Sequence, residues 1–78
     1  MREKTVKLIV TFHTTTGAMA METLCKEKGA PGRLIPVPRA ITAGCGLSWC
    51  APLESRAELE TLVREAGLDT AGFYEIPV

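Results

Sequence analysis

Apolar positions alternate along Val6-Lys7-Leu8-Ile9-Val10-Thr11-Phe12, with Val6, Leu8, Val10 and Phe12 on one side and Ile9 on the other. A period of two in β-branched and aromatic residues predicts a central strand buried on at least one side. The period changes after the turn His13-Thr14-Thr15-Thr16-Gly17. From Ala18 to Lys28 the spacing is helical: Ala18, Met21, Leu24 and Cys25 share a face, and Glu22 and Lys26 form an i,i+4 pair on the other side. A threonine hydroxyl before this helix can accept a hydrogen bond from an orphan N–H of the first turn. Gly29, with Pro31 close behind, supplies the stop.

The second half repeats the scheme. Arg33-Leu34-Ile35-Pro36-Val37-Pro38 is extended, and its two prolines predict an edge strand, because proline cannot donate to a ladder. Ala43-Gly44-Cys45-Gly46 reads as a turn. Leu47-Ser48-Trp49-Cys50-Ala51 reads as a short apolar strand that Pro52 ends. Ser55-Arg56-Ala57-Glu58 has the spacing of a capping box, with Leu59, Leu62, Val63 and Ala66 following at helical intervals up to Gly67. Phe73 to Val78 is the last strand, and Pro77 makes it a second edge. The order βαββαβ closes most economically as an α+β, ferredoxin-like sandwich: an antiparallel sheet in order 4-1-3-2 with both helices on one face. The prolines support the same order independently, since Pro36, Pro38 and Pro77 then all fall on edges.

The chain has 78 residues, which argues for a single domain, 1–78, with a thin core. Nine Lys+Arg balance nine Asp+Glu, so there is no basic excess for phosphate contacts and a nucleic-acid partner is disfavoured. No apolar run approaches the ~20 residues of a membrane span, and the N-terminal residues lack a signal-peptide pattern. Three cysteines is an odd number and does not suit a disulfide scaffold. The expected setting is a reducing cytoplasm. With no Cys-x-x-Cys pair and a lone His13, neither a zinc site nor another cofactor is expected.

In the expected topology the loops after strands one and two meet at one end of the sheet. The first carries His13 and Thr14, Thr15 and Thr16 ahead of a helix. The second carries Arg39, Gly44, Cys45 and Gly46. A helix N-terminus favours anions and raises the thiolate fraction of a nearby cysteine. Arg39 could pair with a thiolate, persulfide or selenide, or with an anionic ligand. Blander readings stand beside these: Gly44-Cys45-Gly46 as a tight turn, Arg39 as a solvated turn residue, His13 as an exposed strand-end histidine. Cys25, on an apolar helix face, is expected to be core, as is Trp49; Met19 and Met21 pack or cover an interface. Cys50 is open between an incidental thiol and a redox partner of Cys45, the latter only if the intervening segment curls to bring the Cα atoms within about 7 Å. Ile35 and Val37 on an edge strand leave a homodimer possible.

The run Leu34-Ile35-Pro36-Val37-Pro38-Arg39-Ala40-Ile41-Thr42-Ala43-Gly44-Cys45-Gly46 resembles the signature of the Se/S carrier protein-like family, small bacterial and archaeal domains. The likeness extends nearly end to end, through the strand ending in Phe12, the threonine-rich turn and a helix bearing Glu22. The resemblance implies a carrier rather than an enzyme. Cys45 would hold sulfur or selenium as a persulfide or selenopersulfide, taken from a cysteine desulfurase or selenocysteine lyase and given to an acceptor protein. Arg39 and Thr14 to Thr16 would stabilise the anion. Two other classes compete: an anion-binding regulatory module using Arg39 and the first helix N-terminus, and a thiol redox protein using Cys45 and Cys50.

Overall fold

The structure, a computed structural model, describes residues 5–39, 41 and 46–78. Its elements are β1 (Val6–Thr11), α1 (Thr15–Lys28), β2 (Arg33–Pro36), β3 (Leu47–Pro52), a 3-10 turn (Leu53–Ser55), α2 (Arg56–Ala66) and β4 (Gly72–Pro77). The four strands form one antiparallel sheet in order β2-β3-β1-β4, which is 4-1-3-2 read from the other edge. This is the ferredoxin-like α+β arrangement that the proline positions implied. Pro36 and Pro77 sit on the two edges, whereas Pro38 lies beyond β2, which ends at Pro36. Pro52 is the final residue of the central β3, where the strand ends into the 3-10 turn.

Both helices lie against one face. Leu8, Val10 and Phe12 from β1 and its end, and Trp49 and Ala51 from β3, meet Ala18, Met21 and Cys25 of α1 and Leu59 and Val63 of α2 in a single buried cluster. Helix α1 starts at Thr15 because the Thr14 hydroxyl accepts the Gly17 N–H at 3.1 Å. It stops at Gly29, whose φ of 69° most residues avoid. Glu22 and Lys26 do not close the expected ion pair; the ion pairs among the described residues both belong to Arg56.

The start of α2 differs from the capping box that its sequence suggests. The chain enters through the 3-10 turn, Ser55 sits at φ −89°, ψ 3° rather than extended, and its side chain caps nothing. Support comes instead from Arg56, which binds Glu60 one turn on and reaches Glu75 on β4. Its guanidinium also lies 5.9 Å from the centre of the Phe73 ring. Those two carboxylates hold the Arg56 proton more firmly than usual. A tight packing point locks the start of β2. The Trp49 indole N–H donates to the Pro31 carbonyl at 3.3 Å. Gly32, at φ 127°, lies so close beneath the indole that a Cβ there would collide with it.

Candidate functional site

Strand register decides which loops share an end of the molecule. Thr11 of β1 stands opposite Ser48, and Pro36 of β2 opposite Leu47, so the C-terminal ends of β1 and β2 flank the start of β3. Neighbouring strands are about 4.8 Å apart, which puts these two ends roughly 10 Å from each other. The start of β4 joins them, with the Ala71 N–H donating to the Thr11 carbonyl at 2.7 Å. Residues 13–17, the neck of the β2–β3 connection and the α2–β4 connection therefore gather at one pole.

Local chemistry at this pole suits an anion. Thr14 caps α1, Thr15 and Thr16 are exposed beside it, and the first turn of α1 carries no acidic residue to offset its N-terminal partial charge. The α2–β4 connection comes close: a Cβ at Gly17 would lie 3.3 Å from the Asp69 carbonyl. At the neck of the β2–β3 connection the Val37 N–H donates to the Gly46 carbonyl at 3.0 Å. The Ile41 N–H donates to the Pro38 carbonyl at 3.0 Å, and this turn holds Arg39 with its side chain exposed. Gly46 has φ 79°, a conformation that calls for glycine directly after the cysteine. Gly44 and Cys45 themselves lie outside the described residues. His13 is exposed just beyond β1.

The other two thiols have opposite surroundings. Cys25 is 1% exposed in the helix-side core. Burial first, and then the nearby charge of Glu58, push its thiol up to about 11. Cys50 points to the other face of the sheet, away from the helices, and lines a cleft of about 540 Å³ with Lys7, Arg33 and Ile35. Sequence reasoning left Cys50 open and passed over Lys7 and Arg33. The available signal was the alternation that puts Lys7 and Ile9 on the face opposite Leu8. Among the described residues no three His, Cys, Asp or Glu side chains gather as a metal site. Nor is any described helix long and apolar enough to cross a membrane.

The geometry defines a class: a βαββαβ sandwich in which the ends of β1 and β2 and the N-terminus of α1 share one pole of the sheet. The family model described as "Putative Se/S carrier protein-like" matches residues 7–75, and the chain belongs to that family. No curated protein and no solved structure gives a match.

Proposed function

We propose that the protein carries sulfur or selenium as a persulfide or selenopersulfide on Cys45. The observation that carries this reading is the family match over residues 7–75, which takes in Arg39 and the Cys45-Gly46 pair. The gathering of the α1 N-terminus and the neck of the β2–β3 connection at one pole supports it. In the loading step the Cys45 thiolate attacks the outer sulfur or selenium of a donor persulfide or selenopersulfide on a cysteine desulfurase or selenocysteine lyase. The donor's S–S or S–Se bond breaks and its thiolate leaves with the electron pair, so the exchange is redox-neutral. The new group on Cys45 is anionic at neutral pH. Arg39 and the positive N-terminal end of α1, with Thr14, Thr15 and Thr16 beside it, lower the energy of that charge. Gly44 and Gly46 flank Cys45 in the sequence with no side chain to shield its sulfur. Delivery to an acceptor protein repeats the exchange in the other direction.

A reading as an anion-binding module draws on the same uncompensated helix N-terminus, and one experiment separates the two. The protein is incubated with a desulfurase and cysteine, or with a selenocysteine lyase and selenocysteine, and its intact mass is followed. Added sulfur or selenium on the Cys45 peptide, absent from Cys45→Ser and slower in Arg39→Ala, is the expected result. Loading that survives in Cys45→Ser, or none in the wild type with either donor, overturns the carrier reading. An anion module would keep ligand binding in Cys45→Ser and lose it in Arg39→Ala.

A third reading, a thiol redox pair of Cys45 and Cys50, is decided by peptide mapping after mild oxidation: the absence of a disulfide between those two peptides removes it.

A further inference from the structure

The cleft around Cys50 lies at the other pole. Its walls come from the start of β1 (Thr5, Lys7), the start of β2 (Arg33, Ile35), the end of β3 (Cys50) and Val78 beyond β4. Register fixes the arrangement of charge. Arg33 stands directly opposite Cys50 across the β2–β3 pair, which puts their Cβ atoms about 5 Å apart. On the other side Ile9 opposes Cys50 and Lys7 opposes Pro52, so Lys7 is the diagonal neighbour at about 7 Å. Neither cation makes an ion pair or hydrogen bond among the described residues. The described lining residues include no Asp or Glu side chain. A half-buried thiol thus sits between two cations that have no ion-pair partner among the described residues, in a cleft of about 540 Å³, within the size range of small-molecule sites.

We propose that this cleft is a binding and exchange site for low-molecular-weight disulfides that carry carboxylates, with Cys50 as the attacking thiol. Arg33 and Lys7 hold the carboxylates, Arg33 through its planar fork and Lys7 as a point charge. The Cys50 proton passes to solvent. The thiolate attacks the nearer sulfur of the ligand, the ligand's S–S bond breaks, a Cys50 mixed disulfide forms, and the second half leaves as a thiolate with the bonding pair. The ligand is the oxidant, and no other is needed. The site is independent of Cys45 and stands whether or not Cys45 carries sulfur.

The test uses full-length Cys45→Ser protein, so that Cys50 is the accessible thiol and Cys25 remains buried. Reaction rates are measured with dianionic 5,5′-dithiobis(2-nitrobenzoate) and with neutral 2,2′-dithiodipyridine. The ratio of the two rates cancels the intrinsic reactivity of the thiol and isolates recognition of charge. Replacing both cations in Lys7→Gln/Arg33→Gln is expected to lower that ratio about tenfold, in the range of electrostatic focusing by a charged cleft. The charge-preserving Lys7→Arg/Arg33→Lys protein should keep it, and added salt should lower it in the parent protein. Peptide mapping should place the label on Cys50. A ratio unchanged by both the neutralising pair and salt, or a Cys50 inert to both probes in the folded protein, overturns the proposal.

Discussion

The two faces of the sheet are made by alternate residues of the same strands, yet they differ in kind. The helix side presents Leu8, Val10, Phe12, Trp49 and Ala51, all between 0% and 3% exposed, to an apolar lining from both helices. The other side presents Lys7, Ile9 and Thr11 from β1, Ser48 and Cys50 from β3, and Arg33 and Ile35 from β2. That second face is itself graded. At the pole holding the family motif, Ser48 is 0% and Thr11 1% exposed, and Ile9, mid-strand beside Cys50, is also 0% exposed. The two hydroxyls there are satisfied by backbone carbonyls, Thr11 donating to Gly72 and Ser48 to Ile35. Ile41, in the β2–β3 connection, is 7% exposed and stands outside the helix-side cluster. At the far pole the same face opens into the Cys50 cleft. One face stabilises the fold, while the other is closed where the motif lies and accessible where Cys50 lies.

The strongest way to press this contrast is to remove a large side chain from the helix face. Phe12→Ala should destabilise by about 3–5 kcal/mol, since Phe12 is fully buried and a cavity would remain. That is a large share of the roughly 5–15 kcal/mol that a small domain possesses. Urea unfolding followed by the fluorescence of Trp49 would read it as a strong fall in midpoint. Ile9→Ala is the informative companion. A loss of about 2 kcal/mol or more is expected, because Ile9 is buried although no helix covers it. A loss below about 0.5 kcal/mol, the ordinary surface value, would show that the middle of the second face is open in solution.

The fold was legible because its signals agreed. Prolines marked the edges, alternation marked β1, and glycines at φ 69° and 67° ended both helices where the sequence put Gly29 and Gly67. Ser55 misled because a capping box is a spacing, whereas capping needs an extended N-cap residue, and the 3-10 turn removes that geometry. Gly32 gave no warning of its packing role, since its closeness to Trp49 depends on a cross-strand neighbour far along the chain. Of the candidate site, the sequence supplied the motif and the topology that gathers Thr14, Arg39 and Gly46 at one pole. It could not supply the Cys50 cleft. Lys7 and Arg33 belong to different strands, and only register makes them neighbours of one thiol.

The second contrast is between the thiols beneath and above the sheet, and pH separates them. Folding holds Cys25 at about 11, against an ordinary thiol value near 9 when unfolded. The folded chain therefore keeps a proton that the unfolded chain releases between those values. The resulting stabilisation is fully present below pH ~9 and is lost as pH rises towards 11, by on the order of 2 kcal/mol. The measurement is the difference between wild type and Cys25→Ala, which isolates the contribution of this thiol. The wild type should lose more stability than the variant between pH 8.5 and 10.5, conditions set by the experimenter. Parallel slopes would mean that the Cys25 sulfur is hydrated in the folded state.

Cys50→Ala should show the smallest effect, about 0.5 kcal/mol or less, read as the shift in urea midpoint at unchanged slope. Alanine is a somewhat poorer strand residue than cysteine, which sets the sign. The neighbours set the size. Cys50 lines an open cleft with Arg33 and Lys7 rather than a packed layer, so shortening the side chain enlarges a space already open to solvent. A loss approaching that of Phe12→Ala would mean that the sulfur is packed as tightly as the helix-side core. Its place between two cations would then be a matter of packing, and the division of the sheet into a stabilising and an accessible face would fail at the residue that most depends on it.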